Sequence, residues 1–279
     1  MELPLFPLHS VLCPGVALPL HIFEERYRLL VSRCIERSEP FGVVLIREGR
    51  EVGAMDGRLA EVGTTALIRR AGRYPDGRYD IVTVGERRFR VDSLDPEREP
   101  FLVGEVTLID EELGSEAEAE RMASRVGQRF LRYLELLQPA LGDDGPEIEI
   151  EVEIEAPDDT LSESEPVAMT IEGAEAEQGG LVAPEPVLDT SGLSPDQRRD
   201  LLMAAARRLT ATDDPTALSY LLTGLIQVDL SVRQDLLEAP DTAGRLVALD
   251  ALLSREIRHL DRNLRPISLD PRLLSLRRN

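Results

Sequence analysis

The spacing of apolar residues divides the first 110 positions into short strands and one helix. Between residues 24 and 37, Tyr27, Leu30, Val31 and Cys34 recur at helical spacing, with charged side chains on the other face. Strands are predicted at 3–8, 16–20, 41–46, 64–70, 79–84, 88–91 and 103–109. Several short strands at such intervals indicate a small barrel or a folded-over sheet.

Prolines and a turn refine this pattern. Pro4, Pro7 and Pro19 fall inside predicted strands, which favours edge positions because proline cannot donate a ladder hydrogen bond. The sequence Pro75-Asp76-Gly77 is typical of a tight turn, and it predicts a hairpin between the strands that flank it.

Helical signals follow the strands. Ser115-Glu116-Ala117-Glu118 is a capping-box signature, and it opens a predicted long helix that ends near Pro139. Its apolar stripe is Met122, Val126, Phe130, Tyr133 and Leu137. From Ser194 onwards the chain predicts four more helices, with Ser194-Pro195 and Asp214-Pro215 as starts. The last has Leu246, Leu249, Leu253, Ile257 and Leu260 in one stripe. A helical bundle would bury these stripes together.

A strongly acidic segment separates the two groups of helices. The net charge of the chain is −20, and residues 141–190 hold 16 acidic residues and no arginine. We interpret 141–192 as a disordered linker, since its composition is acidic and rich in Gly, Pro and Ser. The alternation of Glu with apolar residues over 147–155 leaves a second interpretation, a strand that docks on a partner or a basic groove.

Composition narrows the function classes. All 32 basic residues are arginine, so a P-loop lysine and a Ser-Lys catalytic pair are both excluded as usually built. Outside the acidic segment the chain is close to neutral, without the basic surface that nucleic-acid binding requires. No apolar run spans a bilayer, no signal peptide is recognisable, and two cysteines make no disulfide framework. We therefore expect a reduced, cytoplasmic protein that does not contact a membrane.

Three stretches resemble the N-terminal domain family of Lon proteases. The first is Leu3-Pro4-Leu5-Phe6-Pro7-Leu8 with Pro14-Gly15 and Leu18-Pro19-Leu20-His21-Ile22-Phe23-Glu24-Glu25-Arg26-Tyr27. The second is Asp76-Gly77-Arg78-Tyr79 with Gly85-Glu86-Arg87-Arg88-Phe89. The third joins Asp214-Pro215 and Leu218-Ser219-Tyr220-Leu221 with Arg233-Gln234, Leu236-Leu237-Glu238 and Arg245-Leu246. The resemblance covers about 1–138 and 193–260.

The resemblance implies an α+β fold, with a PUA-like β-barrel followed by a helical bundle. We expect a barrel over 1–112, a long helix over 113–140, the acidic linker over 141–192, the bundle over 193–265 and a tail over 266–279. It further implies a recognition module that binds unfolded or partly folded polypeptides, or a protein partner. We expect a stand-alone, non-catalytic adaptor or chaperone-like factor linked to proteolysis, without the AAA+ and peptidase domains.

Five residues are candidate binding residues. Phe23, Arg26 and Tyr27 lie in the first motif; the alternative is that the two rings pack under the barrel and Arg26 pairs with a carboxylate. Arg87 and Arg88 belong to a group of arginines near the predicted hairpin, which would hold acidic peptides or the protein's own acidic segment, or form a solvated outer face. An RNA-binding PUA-like module is the alternative function, and these arginines are its only support.

No catalytic or metal site is predicted. His9, Cys13 and His21 match no zinc-ligand spacing, and a fourth ligand would have to come from Cys34 or elsewhere. No nucleophile elbow, glycine-rich phosphate loop or HExxH motif is present. We therefore expect neither a cofactor nor enzyme activity.

Overall fold

The chain forms a β-barrel followed by a helical bundle, as a computed structural model shows for residues 1–48, 58–137, 167–169 and 195–262. The strands are β1 (Glu2–Leu8), β2 (Ala17–Ile22), β3 (Phe41–Glu48), β4 (Arg58–Leu59), β5 (Val62–Arg73), β6 (Tyr79–Asp95), β7 (Val103–Leu108) and β8 (Val167–Met169). The helices are α1 (Glu25–Arg37), α2 (Glu116–Leu137), α3 (Pro195–Thr210), α4 (Pro215–Leu225), α5 (Leu230–Leu237) and α6 (Thr242–Asp261). The predicted α+β class is confirmed.

Five strands close the barrel. They pair in the order β6-β7-β1-β3-β5, and β5 pairs again with β6, which completes the ring. Strand β2 extends the sheet beside β6, β4 pairs with β3, and β8 pairs with β5. Helix α1 covers the barrel core with Tyr27, Leu30, Val31 and Cys34, the apolar face that its sequence predicts.

The proline prediction was right for β2 and wrong for β1. Strand β2, with Pro19, pairs only with β6 and is an edge among the described strands. Strand β1 is central, yet it changes partner midway: Pro4 is in register with β7, and Pro7 is in register with β3. Each proline therefore lies beside a ladder on one side only, which makes the missing N–H tolerable.

The two predicted strands around Gly85 are one long strand, β6. Gly85 allows this because the backbone of the 12–16 loop passes against it: its N–H donates to the Val16 carbonyl at 3.0 Å. A Cβ atom at this position would lie 2.3 Å from the Cys13 carbonyl oxygen. The position thus requires glycine for space, and it fixes the loop across the barrel wall.

The bundle buries the stripes that the sequence predicts. On α2 they are Met122, Val126, Phe130, Tyr133 and Leu137, and on α6 they include Leu246, Leu249, Leu253 and Leu260. Helix α4 begins at Asp214-Pro215 as predicted, with the Asp214 side chain accepting from the Thr216 N–H at 2.8 Å. The predicted linker lies outside the described residues, except that β8 forms within it.

Barrel and bundle share one apolar cluster. Tyr220 of α4 and Leu237 of α5 are buried among barrel residues that include Leu3, Leu5 and Phe89. A second link is polar: the buried Gln234 side chain donates to the Val62 carbonyl at 2.9 Å. Helix α5 therefore contributes both an apolar and a polar contact between the two halves.

Candidate functional site

The motif around Phe23 is largely built into the barrel. The Tyr27 ring is 4 % exposed and lies edge-on to Phe6, with 4.1 Å between ring centroids. The Arg26 guanidinium lies 4.5 Å from the centre of the Tyr27 ring and donates to Glu24 at 3.0 Å. Phe23 is half-buried beside His21. This arrangement agrees with the structural alternative for Tyr27 and Arg26, and of the three residues Phe23 and Arg26 are partly exposed whereas Tyr27 is buried.

Arg87 and Arg88 point to different surroundings. Arg87 is half-exposed and forms an ion pair with Asp110 at 2.8 Å. Arg88 is 1 % exposed and lies between the barrel and the bundle. A direct role for Arg88 in binding a partner at the surface does not fit this position, whereas Arg87 remains a candidate.

The Arg88 guanidinium joins the barrel to the end of α5. It donates to the Glu111 carboxylate at 2.8 Å and to the carbonyls of Leu237 and Ala239 at 2.8 and 2.7 Å. A guanidinium at this end of a helix satisfies carbonyls that have no partner within the helix and complements the negative end of the helix dipole. Arg88 is thus a structural joint.

Arg245 completes this joint from α6. It donates to the Leu236 carbonyl at 3.0 Å and to the Tyr220 hydroxyl at 2.8 Å. The Tyr220 hydroxyl in turn donates to Glu111, whose two oxygens both lie 2.7 Å away. Burial raises the pKa of Tyr220 and lowers that of Arg245, and the hydrogen bonds compensate for this desolvation. We name Arg88, Glu111, Tyr220 and Arg245 the arginine joint.

Two other arginines of the hairpin lie beside carboxylates. Arg78 pairs with Asp76 at 2.7 Å, and Arg69 lies 3.7 Å from Glu86. Carboxylates close to the guanidinium groups reduce the positive potential that an RNA backbone would meet. This arrangement weighs against the RNA-binding alternative.

An open cleft of about 690 Å³ lies between the barrel and α5. Its apolar lining comes from Leu45, Ile46, Leu59 and Leu230, and its polar lining from His9, Arg47, Arg58, Glu61, Ser231 and Glu238. Arg47 and Glu238 form an ion pair of 2.7 Å between barrel and bundle. Apolar lining with both charge signs on the walls suits a polypeptide segment of mixed composition. The sequence does not reveal this cleft, because its lining comes from five separate parts of the chain.

The candidate metal ligands are not brought together. His21 Nδ1 lies 2.6 Å from Asp80 Oδ1, whereas Cys13 and Cys34 are free and buried in different apolar clusters. Burial raises the pKa of both thiols to about 12. Within the described ranges, no three His, Cys, Asp or Glu side chains are grouped to hold a metal ion, and no helix is long and apolar enough to cross a membrane.

Two Lon N-terminal domains are among the solved structures that match this chain. The N-terminal domain of the Mycobacterium avium complex Lon protease is 19% identical, with a TM-score of 0.51, and the match covers 91% of this chain and 98% of that one. A Lon N-terminal domain protein from Xanthomonas campestris is 25% identical, with a TM-score of 0.47, over 90% of this chain and 98% of that one.

Sequence comparison gives the same family. Lon protease of Parabacteroides distasonis is 32% identical over 113 residues, which are 39% of this chain and 13% of that protein. Lon protease of Flavobacterium johnsoniae is 30% identical over 122 residues, 43% of this chain and 15% of that protein. The chain thus matches less than a fifth of the length of these relatives. The family described as the ATP-dependent protease La (LON) substrate-binding domain matches residues 2–255, and the chain therefore belongs to that family.

Proposed function

We propose that this chain binds unfolded or partly folded polypeptide segments as a non-catalytic recognition module. Membership of a substrate-binding family across residues 2–255 carries the proposal. The more specific part of the proposal is that the chain acts as an adaptor or chaperone-like factor linked to proteolysis. We place it in the cytoplasm, where its two buried, free cysteines would stay reduced.

The cleft between the barrel and α5 is the surface that we assign to this binding. Leu59 and Leu230 would contact apolar side chains of a client, and Arg58 and Glu61 would accept either charge. Strand β4 supports the assignment, because it pairs with β3 on one side only among the described strands. An extended client segment could therefore add backbone hydrogen bonds at that edge.

Filling the cleft tests this proposal. Ser231→Trp places a large ring in the cleft, and Ala248→Trp places the same ring on an exposed position of α6 outside it. We expect Ser231→Trp to weaken binding to labelled, permanently unfolded polypeptides at least about tenfold, because the ring removes the volume that a client side chain needs. The Ala248→Trp control should bind within about twofold of the unsubstituted chain.

Fluorescence anisotropy with a panel of reduced, alkylated proteins provides the measurement. If the unsubstituted chain binds none of the panel, the proposed function is wrong. If it binds and Ser231→Trp binds equally well, polypeptide recognition stands and the cleft is the wrong surface. Binding of RNA in place of polypeptide, weakened by salt and by Arg87→Ala, would support the alternative module.

A further inference from the structure

The edge of β5 at Ala71–Arg73 is covered by a strand from the acidic segment. On one side these residues pair with Tyr79–Ile81 of β6. On the other side they pair antiparallel with β8, with Ala71 opposite Met169, Gly72 opposite Ala168 and Arg73 opposite Val167. A sheet edge exposes a row of N–H and C=O groups with which any extended segment can pair. Here the chain itself supplies that segment.

Charge complementarity accompanies the pairing. Arg69, Arg70 and Arg73 are exposed at this end of β5. In the sequence, Glu163, Glu165 and Glu172 stand within four residues of β8, and no arginine occurs between residues 141 and 190. Backbone pairing supplies affinity for any extended peptide, and the arginines favour one that is acidic.

The pairing is short enough to be exchanged. Strand β8 has three residues, against about five or six in a typical strand, so few ladder hydrogen bonds hold it. It occupies the edge because it belongs to the same chain, which gives it an effective concentration on the order of millimolar. A segment of similar chemistry on another molecule would compete for the same hydrogen bonds.

We propose that the β5 edge is a docking site for extended acidic peptides, and that β8 is an internal occupant which blocks it. This inference concerns a different surface from the cleft and does not rest on the proposed function. A partner with an extended acidic segment would bind by displacing β8, so access to the edge would depend on how often β8 leaves it.

Removing β8 tests whether it competes with a peptide for the β5 edge, and the chain without β8 is called the emptied chain. We would replace residues 160–175 with a Gly/Ser linker of equal length and measure binding of a labelled peptide with the sequence of residues 161–173. The emptied chain should bind the peptide at least about tenfold more tightly than the unsubstituted chain, since it no longer has to displace β8. Adding Arg70→Ala and Arg73→Ala to the emptied chain should remove most of that gain, as should high salt.

Cross-linking tests the internal pairing directly. Gly72→Cys and Ala168→Cys should form a disulfide on mild oxidation, because opposed antiparallel residues lie within disulfide distance. Gly72→Cys with Ala174→Cys is the matched control and should cross-link far more slowly. The native Cys13 and Cys34 are buried and should not interfere. The cross-linked chain should lose the labelled peptide.

Three results would overturn the proposal: equal peptide affinity of the emptied and unsubstituted chains, binding that ignores the arginine substitutions, or equal cross-linking of test and control pairs. Far-UV circular dichroism of each variant establishes that it is folded. Unfolded-polypeptide binding, measured on the same variants with and without Ser231→Trp, separates failure of this inference from failure of the proposed function.

Discussion

Replacing Arg88 with methionine should lower the free energy of unfolding by about 3 kcal/mol. The substitution keeps an unbranched side chain of similar length, so most of the packing between barrel and bundle is retained. What it removes is the set of hydrogen bonds by which the arginine joint holds the end of α5.

The magnitude follows from the partners that Arg88 would leave behind. The Leu237 and Ala239 carbonyls would each lose a donor, at a cost of about 1–2 kcal/mol apiece when water does not replace it. Glu111 adds less than about 1 kcal/mol, because its side chain is 32% exposed and it still accepts from Tyr220.

Urea denaturation followed by far-UV circular dichroism would measure the loss, and a thermal midpoint about 6–12 °C lower should accompany it. Arg87→Met is the matched control, since it removes the neighbouring arginine from an exposed ion pair and should cost no more than about 0.5 kcal/mol. If both variants lost the same stability, or if Arg88→Met lost less than about 0.5 kcal/mol, our account of the joint would be refuted.

Three other predictions follow from the fold. Gly85→Ala should lower the free energy of unfolding by at least about 2 kcal/mol in urea denaturation, because the added Cβ would overlap the Cys13 carbonyl. Gly127→Ala in α2 is the matched control and should raise it by about 0.5–1 kcal/mol, since the nearest atoms to its added Cβ are 3.4 Å or more away. A gain for Gly85→Ala would contradict the close approach. Asp241→Ala should cost about 1 kcal/mol, because it removes the side-chain cap that accepts from the Gly244 N–H at 2.7 Å; an unchanged midpoint would show the cap to be unimportant. Stability should be retained below pH 9 and should fall as pH rises from 9 towards 12, because burial raises the pKa of Cys13 and Cys34 to about 12 and the unfolded thiols release their protons first. A flat profile above pH 9 would argue against this, and the double variant Cys13→Ala, Cys34→Ala, which lacks both thiols, is the control.

Periodicity was enough to predict the helix faces and the approximate positions of most strands. The stripes on α2 and α6 repeat over several turns, so each helix face could be assigned from one sequence. The turn at Gly77 could also be predicted from the sequence, since the backbone there has φ +89°, a value that glycine adopts without strain. The predicted edge position of β1 was wrong, because the spacing of prolines alone does not show that a strand changes its pairing partner halfway along.

The role of Arg88 could not be predicted from local sequence. From their charge, we expected both Arg87 and Arg88 to lie on a solvated face. Strict alternation of side chains along the strand would instead place one of the two on the inner face of the sheet. The β5–β6 register shifts between Thr64 and Ala66, opposite this part of β6. After the shift Arg88 and Phe89 are both buried, one against the bundle and the other within the barrel. The cleft was hidden for a similar reason, because only the tertiary fold assembles its lining.

The arginine joint and its apolar neighbours also determine when the bundle can cover one face of the barrel during synthesis. The Val62 carbonyl accepts a hydrogen bond from Gln234, which is 172 positions later in the chain. Arg88 donates to carbonyls that are 149 and 151 positions later. As the chain leaves the ribosome, the barrel strands emerge well before the helix that closes their outer wall. The nascent barrel would therefore keep apolar surface exposed until α5 and α6 arrive, and a fragment that stops before α4 should need a chaperone or aggregate.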